Sequence, residues 1–495
     1  MTRAGLFAVV CLTANTALAQ FTGLSRTEIQ VGNTPFSDPA TLTTAFEQLN
    51  LRYDAGPLRA AIRSEAFVTG RQERRYVQLS QVRVDGSYGG FRGSVGHFYE
   101  MLGRGLLLRG FEIPGAVYED AAFRVRQSFQ RDIEGARLGW SNRHVDLLVL
   151  RGRPLVSVLP PTVDRAARRP DLVSAASGGL RVGPARIAGH YLRNETDTET
   201  RDYASVSGEW SAGGYSAYAE LATLQGDQSP LLRGNHALYL ATAYGRIGFG
   251  VSLEYKDYSD FFLGSGFNDP PSLVREHSWV TLNRSTHVLN AVDETGYQGE
   301  VYGLVPGLGT LTLNATRAEN ELAPGFAVVY REYYAELATF PIGRTSGRVF
   351  VDVAEDELKG QRRRRSVGTY LDRKLGSPWA ASLQLEAQRY RMEFLDDALA
   401  TNLVAALVLS RSSTYSAGIT VERSTDLFLT DDPRTAEIEE APRYWLGVNF
   451  GWRPSRRHSL ALFAGTRRGG PACTSGICYE VLDFEGAEMR LTSRF

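Results

Sequence analysis

The densest polar grouping in the chain is Tyr99, Glu100, Arg104, Arg109 and Glu112, with Gly103 and Gly105 between them. Arginines and carboxylates at this spacing have two uses. Opposed across a gap, they impose a transverse field on whatever passes through it. Paired with each other, they lock a segment in place, and ion-pair fill of a closed interior favours this second use. The two glycines allow the backbone to bend there. The histidines, at 97, 144, 190, 236, 277, 287 and 458, show no i, i+4 or other ligand spacing, so neither a metal nor a cofactor is expected. His190, His277 and His287 are the ones a hydrolytic site would need, but no nucleophile motif accompanies them and catalysis is not expected. Cys473 and Cys478, in GPACTSGIC, have the spacing of a small disulfide-closed loop in an exported protein. Asp426, Asp431, Asp432, Glu437, Glu439 and Glu440 crowd one polar stretch without an EF-hand spacing, which reads as a solvated loop before it reads as a divalent-ion site.

The elements that would carry these residues are strands. Residues 1–19 form a secretory leader, with Arg3, an apolar run from Leu6 to Leu12, and Ala17-Leu18-Ala19 before Gln20. Beyond it no apolar run approaches the ~18 residues of a helical span. The last stretch, Tyr479 to Phe495, alternates strictly: Ala487, Met489, Leu491 and Phe495 share one face, and Glu488, Arg490, Thr492 and Arg494 share the other. One face suits lipid and the other a wet interior, which is the pattern of a transmembrane β-strand. Met489, Leu491 and the closing Phe495 also read as a signal for insertion by the barrel-assembly machinery. The same alternation recurs at Tyr444–Trp452, Phe249–Lys256, Thr310–Thr316 and Leu383–Gln388. Gly is abundant at 50 residues, Tyr and Phe each number 23, and mean hydropathy is nevertheless negative, as a polar lumen requires. Lys+Arg and Asp+Glu are equal at 55 each, so no nucleic-acid partner is implied.

Bacterial barrels have short periplasmic turns and long outer loops. Short turns are predicted at 55–59, 88–92, 141–146, 181–186, 211–216, 244–248, 305–310, 341–347, 375–379, 410–414 and 453–458, alternating with longer polar stretches. The chain is therefore expected to be all-β, a transmembrane antiparallel barrel of about 24 strands, within 22 to 26, occupying 20–495. The first strand is expected within Leu24–Val31, and so few residues precede it that a transporter with an N-terminal plug domain is disfavoured. Two connections, about 107–131 and about 257–295, exceed ordinary loop length, and one or both are expected to fold inward and constrict the lumen.

Three stretches resemble an uncharacterised family of large Gram-negative outer-membrane barrels, a domain-of-unknown-function family: GHFYEMLGRGLLLRGFE at 96–112 with IEGARLGW at 133–140, 267–301, and CTSGICYEVLDFEGAEMRLTSRF at 473–495. Between Glu112 and Ile133 this chain is longer than the family pattern. The resemblance implies a barrel fold and the outer membrane, and no catalytic residues. The function expected is passage of a solute or polymer through the lumen. The alternatives are a closed scaffold or surface receptor for a protein partner, and an outer-membrane enzyme. Lipid and lipopolysaccharide are the surroundings expected for such a barrel, whether monomeric or self-associating, with the disulfide loop on the outside.

Overall fold

The computed structural model describes residues 20–120, 124–156, 168–226, 234–273, 275–287, 293–323, 325–430, 441–474 and 477–495, with the backbone alone at 473, 474 and 478. The leader 1–19, the acidic residues 431–440 and the side chains of the predicted disulfide lie outside this description. Twenty-four antiparallel strands form one continuous sheet. It closes on itself where the first strand, Gln20–Asn33, pairs with the last, Phe484–Arg494, in a register running from Leu24 opposite Arg494 to Asn33 opposite Glu485. Closure leaves no edge, so every strand can satisfy its backbone groups without water. All eleven predicted turns fall between paired strands, and the first strand contains the predicted segment.

Side chains alternate as the pattern requires. On Arg443–Trp452, Tyr444, Leu446 and Val448 are exposed outward at 61%, 52% and 51%, while Trp445 between them is 2% exposed and faces the lumen. No helix is long and apolar enough to cross a membrane. The outer face is the apolar surface that lipid covers.

The seam bends at a row of four glycines. Gly447, Gly465, Gly486 and Gly32 are successive cross-strand neighbours. Gly32 has φ +155° and Gly486 has φ +147°, and a Cβ on either would strike the backbone carbonyl of Glu485 or Val31 on the facing strand. Only glycine lets the two backbones approach this closely.

The last stretch departs from expectation at its start. Residues 479–481 belong to a separate hairpin, Gly470–Thr474 with Ile477–Val481, and the barrel strand begins at Phe484. Asp483 accepts from the Gly469 N–H at 2.5 Å and turns the chain between the two.

Candidate functional site

Among the described residues, three long segments turn into the lumen. The first leaves the wall after Phe98, earlier than the predicted 107, because the left-handed Gly96, Gly103 and Gly105 redirect the backbone. It forms two hairpins, Met101–Leu102 with Leu108–Arg109 and Phe111–Glu119 with Arg126–Arg131. The second runs from Asp260 to His287 and contains a short helix, Val280–Arg284. The third is the 470–481 hairpin. It was expected in an outer loop, but Ile477 is buried against Ile113 and Phe129, and the Tyr479 ring lies 4.8 Å from that of Phe129. Apolar side chains at alternate positions gave it a face that the first segment could cover. Cys473 and Cys478 are directly opposite in its backbone register.

The first two segments are knitted into one plug. The Arg109 N–H donates to Phe267 O at 3.1 Å, and the Asp269 N–H to Gly105 O at 3.1 Å. Buried Asn268 donates to Leu106 O at 3.1 Å and Phe261 O at 2.9 Å, and accepts from the Leu263 N–H at 3.1 Å. Around this joint, Leu102, Leu106, Leu107, Leu108, Phe261, Leu263, Phe267 and Leu273 pack against Leu150, Val173, Leu192 and Tyr258 of the wall. This half of the plug is held by hydrophobic burial.

The other half is held by the carboxylates of the wall. Arg275 pairs with Glu300. His277 Nε2 lies 3.2 Å from Glu332, its ring 4.7 Å from that of Tyr334. Trp279 donates to Tyr334 Oη at 2.9 Å and Glu336 at 2.8 Å. Glu386 accepts from the Val280 and Thr281 N–H groups at 2.9 and 2.8 Å and from the Thr281 hydroxyl at 2.7 Å. It caps the helix N-terminus, where unpaired donors favour an anion. Arg284 closes the series on Glu422 and Arg468 O, and His287 sits between Asp356 and Asn320. Of these carboxylates the sequence pattern places only Glu386 on an inward strand face, and the partners are as much as 138 residues away.

The five residues of the predicted cluster have separate partners. Tyr99 Oη donates to Glu112 at 2.9 Å, and Glu112 pairs with Arg63 of the wall strand Leu58–Thr69. Burial, reinforced by the Glu112 charge, pushes the Tyr99 phenol up and keeps it a donor. Glu100 pairs with Arg137 at 2.6 Å. The Arg104 N–H donates to Glu220 at 2.8 Å while its guanidinium lies 4.8 Å above the Tyr218 ring. Arg109 pairs with Asp269 at 3.1 Å, and burial pushes the Asp269 carboxyl up despite the pull of Arg109 and Arg131. Only Tyr99 and Glu112 touch. At the far end of the last strand, Leu491 and Phe495 are exposed to lipid at 37% and 54%. Asp426 is buried, receives Tyr390 Oη, and accepts from the Phe428 N–H at 3.0 Å. No three His, Cys, Asp or Glu side chains converge as metal ligands among the described residues.

A closed antiparallel barrel, apolar outside and polar within, defines an integral protein of the bacterial outer membrane. No protein-family model and no curated protein matches the sequence. Solved structures match in fold. A chain of the E. coli P pilus tip assembly intermediate PapC-PapD-PapK-PapG is 8% identical, with 96% of this chain and 60% of that chain covered and a TM-score of 0.51. The P pilus usher (PapC) translocation pore is 9% identical over 96% and 99% of the two chains, with a TM-score of 0.45. OccK2 (OpdF) of Pseudomonas aeruginosa is 13% identical over 71% and 96%, with a TM-score of 0.38. The likeness is one of fold.

Proposed function

We propose that this protein is a gated channel or transporter of the outer membrane, which passes a solute or polymer when part of its plug leaves the lumen. The observation that carries this reading is the asymmetry of the plug. One half is buried in a large apolar core, whereas residues 275–287 bury only Trp279 and Leu282 against Tyr334 and Phe350 and are otherwise attached through polar contacts to Glu300, Glu332, Glu336, Glu386 and Glu422. A segment held by ion pairs can dissociate into water, where its charges are solvated, at far less cost than a greasy one. In this reading the cluster from Tyr99 to Glu112 anchors the stationary half, and Met489, Leu491 and Phe495 serve insertion. The leader and the disulfide belong to the same proposal, as does membership in the uncharacterised barrel family, which rests on the three resembling stretches alone.

A closed scaffold or receptor for a protein partner is the second reading, favoured by the same apolar core, which fixes much of the plug permanently. Liposome swelling separates the two. The folded wild type should admit neutral sugars slowly, and a variant with 275–287 replaced by an equally long Gly-Ser linker should admit them fast. A folded but impermeable linker variant would leave the scaffold reading standing.

A further inference from the structure

The wall carboxylates in contact with the plug leave an opposite charge exposed beneath it. A cavity of about 500 Å³ lies under Tyr99 and Glu112, at the end of the barrel where the strands join by short turns, and is lined by Arg52, Arg63, Arg83 and Arg494. Glu112 is the one acidic side chain in that lining. A second cavity of about 540 Å³ adjoins it along the first strand and is lined by Arg26, Arg453 and Arg490, with Glu28. Four of these arginines have acidic partners: Arg63 pairs with Glu112, Arg52 with Asp54 at 2.6 Å, Arg83 with Asp85 at 2.9 Å, and Arg490 with Glu488 at 2.7 Å. Arg26, Arg453 and Arg494 make no ion pair among the described residues.

We infer that this arginine floor is a binding site for the anionic group of a solute, a carboxylate or phosphate, entering or leaving on the periplasmic side. The inference rests on the channel reading and names the class of its substrate. Three physical facts support it. Guanidinium groups present planar forks that match carboxylate and phosphate oxygens two at a time. A low-dielectric barrel wall focuses the field of its charges into the lumen and concentrates counter-ions there. Each cavity has the volume of a sugar-sized ligand site, and the two together accommodate successive units of a longer polyanion.

The test is calorimetric titration of the full-length folded protein in neutral detergent at low salt, where surface charge is least screened. Tripolyphosphate serves as the small probe and poly-L-glutamate as the polymeric one. Saturable binding is expected, weakened about tenfold or more in R26Q/R494Q, which removes two of the three lining arginines without ion pairs. It should be unchanged in R456Q, on an exposed turn outside both cavities. Heat-modifiable gel migration checks that each variant is folded. Tighter binding of polyglutamate identifies a polymer track, and tighter binding of tripolyphosphate a small-solute site; either supports the inference. Absence of saturable binding, or equal affinity in wild type and R26Q/R494Q, overturns it. The result is independent of gating: a variant barrel that conducts yet binds neither probe refutes the anion site alone, and one that binds both but never conducts refutes the channel alone.

Discussion

Replacing Glu386 by Ala should release the 275–287 segment while leaving the barrel closed. Glu386 is 4% exposed and accepts three hydrogen bonds from Val280 and Thr281, at 2.9, 2.8 and 2.7 Å. Two of the donors are backbone N–H groups in the first turn of a helix of five residues. Such a helix is too short to persist without its contacts. Truncating one partner of a buried charged contact costs about 3–5 kcal/mol. At 1.4 kcal/mol per tenfold, undocking becomes about a hundred- to a few thousandfold more frequent. Hydrogen exchange read by mass spectrometry should show this as faster labelling confined to 275–287, because barrel amides are held by their neighbours on both sides. Glu386→Gln keeps an acceptor without the charge and should give a smaller acceleration in the same place. Unchanged protection of 275–287 in the Ala variant would refute the claim that wall carboxylates hold this half of the plug. Exchange accelerated throughout the barrel would refute the separation of plug from wall.

Other outcomes follow from the same contacts. A double-mutant cycle on Arg284→Ala and Glu422→Ala, read by thermal unfolding, should return a coupling of about 1–3 kcal/mol, and a coupling near zero would mean that the pair is ornamental. Gly486→Val places a branched side chain against the Val31 carbonyl at the seam, so the heat-modifiable band should be lost or much reduced, whereas Val at exposed Gly189, in extended backbone on the outer face of a strand, places its Cβ in open space and should still give that band. Asp269 supplies a pH dependence. Its folded value is raised by burial, so the folded state holds the proton more tightly than the unfolded chain, and this residue's contribution to stability falls as pH rises from the ordinary carboxylate value through the raised one. Asp269→Asn should therefore lose less melting temperature than wild type as pH rises from about 4, the ordinary carboxylate value; an equal loss would contradict that sign.

The barrel was legible because its rules are local. Alternation at Tyr444–Trp452 fixes which side chains meet lipid, and turn residues such as Gly-Pro at 56–57 and Ser-Pro at 377–378 mark where hairpins reverse. That one or both of the long connections fill the lumen follows from the width of a barrel of this size. The grip on them did not follow. Glu386 reads only as an inward-facing position, and nothing marks Glu332 or Glu422, since a wall carboxylate gives no local sign of whether water or a distant loop will meet it. The Tyr99–Glu112 grouping looked like one cluster because its members are close in sequence, yet the hairpin turn at Gly103 and Gly105 sends them to four different partners. The hairpin at 470–481 was taken for an outer loop on its cysteines and glycines, whereas Ile477 and Tyr479, one strand repeat apart, were the sign that it packs inward.

The central claim is that an ion-paired half-plug gates the lumen, and single-channel recording in a planar bilayer tests it most directly, with folded wild type compared to the Arg284→Ala/Glu386→Ala variant. The structure predicts a wild type that is closed most of the time and a variant that dwells in a conducting level. A large steady conductance in wild type, or unbroken silence from the folded variant, would contradict it.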